Sequence, residues 1–272
     1  MELWQALILG LVEGLTEFLP VSSTGHLVIT QRLLGIGESE AANAYAIAIQ
    51  AGAIAAVLVL YRKRVAQMCL GLVGRDSAGT RLVGTLALAF LPAAVLGLAF
   101  DATIERYLFG PWPVVAAWAA GGLLLLVLAP RLSNITEGES IEAVTARTAL
   151  FIGLAQCAAL WPGVSRSLAT ILGGLAGGLS VVAAVEFSFL LGLLTLGAAT
   201  AYKAIGSGQV MLDAYGPAAL AVGFGAAWLS AVLSVRWMVS WLGRRGFAIF
   251  AWWRLVMAAL VATLLLTGVL HR

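Results

Sequence analysis

Six stretches of this chain are each long and apolar enough to cross a lipid bilayer. They are 43–61, 81–101, 113–130, 184–203, 216–236 and 249–270. A helix needs about 20 apolar residues to span the hydrocarbon layer. Of the 272 residues, 61% are hydrophobic and 11% are charged, whereas soluble domains carry roughly a quarter charged residues. Backbone polar groups inside a membrane must be satisfied within the segment, which leaves helices or closed barrels. The reading is therefore an all-α polytopic membrane protein, a single integral membrane domain over 1–272. No Lys or Arg precedes the first apolar run, so no removable signal peptide is expected. Cys69 and Cys157 are isolated and suggest neither a disulfide nor a zinc site.

Two further regions are apolar but interrupted. In 3–34 the interruption is Pro20-Val21-Ser22-Ser23-Thr24-Gly25, and in 148–180 it is Trp161-Pro162-Gly163-Val164-Ser165-Arg166-Ser167. Pro and Gly stop one helix and Ser starts the next. Each piece is too short to span alone. Both regions are read as re-entrant helix–loop–helix hairpins beside the six full transmembrane helices.

Charge sets the orientation. Arg62, Lys63, Arg64, Arg75, Arg81, Arg131, Arg147, Arg236, Arg244 and Arg245 fall on one side; Arg32, Arg106, Lys203 and Arg272 fall on the other. The richer side is cytoplasmic. The sequence pI near 9.1 thus reflects topology, and no nucleic-acid partner is expected. The first hairpin then enters from outside and the second from the cytoplasm, which predicts an inverted-topology repeat. The first repeat covers 1–110 with hairpin 3–34, and the second covers 146–272 with hairpin 148–180. The separation from Ser22 to Gln50 nearly equals that from Ser165 to Gly192. Such repeats place their sites near the midplane, where half-helix N-termini meet.

The chemistry-bearing residues cluster at these interruptions. Ionisable groups at membrane depth are costly and mark functional sites. Glu13 and Glu17 are one helical turn apart, so they can hold a divalent cation or share a proton. Ser22, Ser23 and Thr24 precede a helix whose free N–H groups and dipole favour phosphate. His26 follows Ser23 by three residues and is read as a base for its hydroxyl, or as a nucleophile itself. Arg166, flanked by Ser165, Ser167 and Thr170, offers a planar fork for phosphate. Glu186 is expected to pair with Arg166 or to complete a polar network. Arg254 is expected to snorkel toward the cytoplasm. Trp112, Trp237, Trp241, Trp252 and Trp253 read as interfacial anchors. Together these residues describe a site for a phosphorylated lipid.

The segments EGLTEFLPVSSTGH and LWPGVSRSLAT, with AIQAGAI and EFSFLL, resemble the signature motifs of the bacterial undecaprenyl-diphosphate phosphatase family, which is also linked to bacitracin resistance. The resemblance covers essentially the whole chain. It implies hydrolysis of undecaprenyl diphosphate to the monophosphate carrier and phosphate, recycling the carrier for cell-envelope glycan synthesis. It implies a divalent metal, Mg²⁺ or Ca²⁺, on Glu13 and Glu17. It makes Ser23 and His26 the catalytic hydroxyl and imidazole, with Ser165, Arg166 and Thr170 in the phosphate-binding set. It places the protein in the bacterial cytoplasmic (inner) membrane with an outward-facing site, among membrane lipids, with bacitracin competing for the substrate. One departure is visible: Leu168 stands where the family usually has Gly. The competing class is a polyprenyl-phosphate flippase or secondary transporter, which needs the carboxylates and Arg166 but not a serine–base pair. The small residues of GLAGG (174–178) suit helix packing within or between subunits, so a homodimer stays open.

Overall fold

The computed structural model describes residues 1–37, 39–132 and 137–271, and among these every regular element is a helix. Arg272, counted above among the outer charges, lies outside them. The order is α1 (Leu3–Thr16), α2 (Ser23–Leu33), α3 (Glu40–Leu60), α4 (Arg62–Leu72), α5 (Ser77–Leu108), α6 (Pro111–Leu132), α7 (Ala146–Cys157), α8 (Arg166–Ala176), α9 (Val181–Arg245) and α10 (Ala248–Leu266). Five of them, α3, α5, α6, α9 and α10, are long and apolar enough to cross a membrane. The 65-residue α9 is two helices joined at a kink, because Gly216 has φ 75° and ψ 162° and Pro217 follows it; both arms meet α3, through Thr200 Oγ1 to Ile47 O and Tyr45 OH to Ala219 O. Pro has no N–H to continue the ladder, and Gly alone takes that backbone readily. All six expected spans therefore coincide with helix, two of them as the arms of α9.

Small residues hold the helices together. In a membrane, association relies on close backbone approach and interhelical hydrogen bonds. A Cβ on Gly10 or Gly14 of α1 would collide with the backbone of α9 at Gly223 and Ala227, and one on Gly52 of α3 with Phe224 O. Ser234 Oγ donates to Gly14 O (2.8 Å), and Tyr45 OH donates to Ala219 O (2.9 Å). The second arm of α9 thus seats α1 and α3 side by side. Gly173 and Gly174 of α8 approach Ala155 and Ala184, so the GLAGG stripe is used within the chain. Large apolar side chains such as Leu98, Val127 and Leu266 stay exposed around the periphery, as lipid contact requires.

The two interruptions are where expected. α1 ends at Thr16 and α2 starts at Ser23; α7 ends at Cys157 and, after a 3-10 turn at Ala158–Leu160, α8 starts at Arg166. Their tips touch. Gly163 N–H donates to Ser22 Oγ (3.1 Å), Ser167 Oγ donates to Leu19 O (2.8 Å), and Trp118 Nε1 of α6 donates to Val21 O (2.9 Å). Gly163 has φ 99° and lies against Val114 and Ala117, so no side chain fits there.

Candidate active site

A cavity of about 420 Å³ opens over the paired tips. Its floor is Glu17, Ser22, Ser23, Thr24, Gly163, Ser165 and Arg166. The amides Gln31, Asn43 and Gln50, the apolar Leu160, Trp161, Leu196 and Ala199, and the polar Asp101, Tyr202 and Lys203 also line the cavity. An apolar groove leading to a few convergent polar groups suits a lipid with a charged head.

Glu17 organises the floor. Its Oε2 accepts from Ser23 Oγ. Its Oε1 accepts from Arg166 Nη2 at 2.7 Å. Arg166 Nη1 donates to Ser188 O (3.0 Å), the guanidinium stacks 5.6 Å from the Phe18 ring centroid, and Nε meets no acceptor. Gly192 lies directly behind this guanidinium, where a Cβ would displace it. The carboxylate between a hydroxyl and a guanidinium is thereby fixed in orientation, and Ser23 has a base within hydrogen-bond reach.

The expected proton path through His26 is not what the structure builds. His26 Nε2 accepts from Trp253 Nε1 (3.0 Å), so the ring proton is on Nδ1, 2.7 Å from Ser22 O. Both nitrogens are engaged away from Ser23, and the ring packs against Trp118 with centroids 4.8 Å apart. Helical spacing put His26 on the Ser23 side, but the left-handed backbone at Ser22 turns the first residues of α2 so that Glu17 reaches the hydroxyl instead.

The remaining expected residues divide between floor and support. Ser22, Thr24, Ser165 and Arg166 line the cavity. Ser167 and Thr170 are buried behind it. Thr170 Oγ1 donates to Arg166 O (2.8 Å) and lies 2.6 Å from Ser188 Oγ, fastening the residue that holds Arg166. Leu168 is 3% exposed in the main apolar core, pointing away from the cavity. Glu186 serves the other end of the molecule: it pairs with Arg64 (2.8 Å), which also binds Glu142 (2.6 Å).

Two expectations are corrected. Arg254 does not snorkel; it is wholly buried and donates to backbone carbonyls at both tips. The carbonyls freed by the two helix breaks give the cation an acceptor shell that the interface would not improve. Trp253 is not only an anchor, since it donates to His26. Trp118, Trp253 and Arg254 come from α6 and α10, far along the chain, and only the oddity of Arg in AWWRLVM hinted at them.

A divalent ion fits the acidic pair. Both Glu13 oxygens are buried without any hydrogen-bond partner, and Glu17 and Arg166 are the charged groups that act on them. Carboxylate oxygens suit Mg²⁺ or Ca²⁺. Among the described residues no third His, Cys, Asp or Glu joins them, so substrate oxygens and water would complete the shell.

Comparison with known proteins agrees with this geometry. The family model described as bacitracin resistance protein BacA matches residues 6–260. An undecaprenyl-diphosphatase of Sorangium cellulosum (strain So ce56) is 48% identical over 95% of this chain and 85% of its own length. Undecaprenyl-diphosphatase 2 of Rhodospirillum rubrum is 46% identical over 94% of this chain and 93% of its own. An undecaprenyl-diphosphatase of Nitrosospira multiformis is 44% identical over 99% and 97%. This multi-pass membrane protein belongs to the bacitracin resistance protein BacA family.

Proposed function

We propose that this chain is an undecaprenyl-diphosphate phosphatase, hydrolysing undecaprenyl diphosphate to undecaprenyl phosphate and inorganic phosphate. The observation that carries the mechanism is the chain Ser23–Glu17–Arg166 on the floor of a lipid-sized groove. The diphosphate sits over the tips, against the free N–H groups that open α2 and α8. Ser23 Oγ attacks the terminal phosphorus and its proton passes to Glu17 Oε2. The bond from phosphorus to the bridging oxygen breaks, and polyprenyl phosphate leaves. Water then attacks the phosphoserine phosphorus, the P–Oγ bond breaks, the proton held on Glu17 returns to Ser23 Oγ, and phosphate departs carrying the water protons. Arg166 holds Glu17 in place and balances charge on the transferring group. Glu13 and Glu17 would hold the divalent ion, which when bound neutralises phosphate charge. His26 holds the start of α2 through Ser22 O.

The finer architecture belongs to the same proposal: six crossings, two re-entrant hairpins, a first repeat over 1–110 and a second over 146–272. The matching backbone at Ser22 and Ser165 supports it. The distribution of basic segments supports a site facing the outer side of the bacterial inner membrane, where bacitracin would compete for the lipid. The flippase or transporter reading gains nothing here, because carriage has no use for a serine held on a carboxylate.

The test is phosphate release from undecaprenyl diphosphate by purified protein in detergent, with and without chelator, for wild type and Arg166→Ala. Release that needs both the metal and Arg166 is expected. A wild-type protein that binds the lipid but releases no phosphate would overturn the proposal.

A further inference from the structure

Among the described residues Arg254 is the one Lys or Arg that is wholly buried, at 0% exposure. Its shell is made of backbone carbonyls. Nη1 donates to Pro20 O (3.3 Å) and Val164 O (3.1 Å), and Nη2 donates to Ala117 O (3.0 Å) and Gly163 O (2.8 Å). One acceptor belongs to the first break, two to the second, and one to α6. A buried guanidinium is costly unless its donors find acceptors. Here both terminal nitrogens are satisfied by the two chain segments that form the cavity floor and by the helix behind them, while Nε meets no acceptor.

Peptide planarity carries this arrangement to the other face. In a trans peptide the C=O and the next N–H point in opposite directions. With Val164 C=O aimed at Arg254, the N–H of Ser165 points away from it. That N–H meets no acceptor among the described residues, and Ser165 lines the cavity. The neighbouring units are locked in the same way. Gly163 C=O faces Arg254 while Val164 N–H closes a turn on Trp161 O (3.1 Å). Pro20 C=O faces Arg254 while Val21 N–H closes on Leu19 O (2.7 Å).

We propose that Arg254 is a positioning residue for the phosphoryl transfer described above. From behind the floor it fixes peptide planes in both breaks, so that the Ser165 N–H and the opening N–H groups of α8 face the phosphate. It touches no substrate. The proposal rests on the hydrolase reading. It also gives Gly121 a reason: a Cβ there would overlap the Arg254 guanidinium. Lys would not replace Arg, since a single ammonium cannot fork across four carbonyls.

The test compares purified Arg254→Met, Arg254→Lys and Gly121→Ala with wild type for kcat, KM and thermal unfolding in detergent. Trp252→Ala, on the exposed face of the same helix, is the control and keeps wild-type rates. Misplaced donors of this kind lower turnover by about 100-fold. The expected result is a kcat lower by about that factor in folded Arg254→Met, a smaller fall of roughly tenfold in Arg254→Lys and Gly121→Ala, and KM within about threefold throughout. Unchanged kcat in a folded Arg254→Met overturns the proposal, as does a raised KM with kcat intact. If Arg254→Met does not fold, Gly121→Ala decides by the same criteria. A wild-type protein without phosphate release would instead overturn the hydrolase reading, so the two failures are distinct.

Discussion

Ser22 and Ser165 adopt the same left-handed backbone, φ 72°, ψ 98° and φ 78°, ψ 115°, and are the only non-glycine residues with positive φ among those described. Each is the last residue before a helix, α2 and α8. The match aligns the two breaks residue for residue. Counting back equally from each serine reaches Glu13 and Gln156, both buried with side-chain atoms that meet no partner. The second half keeps the amide where the first has the carboxylate. It carries Arg166 where the first carries Ser23. The two breaks therefore share a local backbone and divide the chemistry.

That backbone sets up a stability prediction. Ser165 Oγ accepts from Leu168 N–H (3.2 Å) and caps α8. Ser165→Ala loses the cap and keeps the left-handed strain, whereas Ser165→Gly loses the cap and relieves it. Unfolding in detergent should show Ala less stable by about 1–2 kcal/mol and Gly by only a few tenths. Equal stability of the two variants would mean the backbone at 165 carries no strain.

The base can be assigned by comparing three variants. Ser23→Ala and Glu17→Gln each remove one end of the Ser23–Glu17 hydrogen bond, and each should lower kcat by about 10²–10⁴-fold. His26→Gln breaks the link between α2 and Trp253, so it should destabilise by about 1–3 kcal/mol and slow turnover far less than the other two. Phosphate release and melting curves on the same preparations check both. A His26→Gln enzyme as slow as Ser23→Ala would return the proton to the imidazole, and a Ser23→Ala enzyme of near-normal rate would make water the nucleophile.

The sequence located the floor because depth and polarity coincide there. Glu13, Glu17, Ser22, Ser23, Arg166 and both breaks were readable from ionisable groups and Pro-Gly-Ser runs in apolar surroundings. Pairing was not readable. Glu17 meets Ser23 through a turn whose left-handed residue is serine, a type that rarely takes that conformation, so helical spacing pointed to His26. Arg254 meets carbonyls from three distant segments, and no local pattern encodes a partner that is backbone. Glu186 reads as a mate for Arg166 or a member of a polar network; the structure gives the second, with Arg64 joining it to Glu142 away from the cavity.

The acidic pair leads to a metal prediction with a stability readout. Glu13 has buried oxygens with no partner, an arrangement unfavourable to the metal-free fold. Wild type should therefore melt higher when Mg²⁺ or Ca²⁺ is added, by mass action on the folded state. Glu13→Gln should melt higher than wild type without metal, gain nothing from its addition, and lose activity. A melting response to metal that survives Glu13→Gln would place the ion elsewhere.

At the opposite end, Glu142 responds to acid. Its own backbone N–H, and then the Arg64 guanidinium, hold its carboxyl below the ordinary carboxylate range. A depressed folded-state pKa gives stability that is present above the unfolded value, about 4.3, and lost as pH falls through the folded value. Melting curves should show wild type above Glu142→Gln at pH 7, with the gap closing below about pH 4. The gap is small, since the Arg64 and Glu142 side chains are 27% and 50% exposed and solvent screens the pair. A gap that does not narrow at all as pH falls would assign the difference to packing.

Leu168 tests the boundary between site and core. The related motif has Gly there, so a side chain could narrow the phosphate site or fill space elsewhere. The structure puts Leu168 in the core that also holds Phe187, Leu190 and Ile171, two residues and about half a turn from Arg166, and outside the cavity lining. Removing a buried Leu side chain costs about 2–5 kcal/mol, and Gly within a helix about 1 kcal/mol more. Leu168→Gly should therefore melt well below wild type while kcat and KM for undecaprenyl diphosphate stay within about threefold. A variant that turned over faster at unchanged stability would mean that Leu168 does crowd the phosphate, and that α8 is rotated about its axis from the position described.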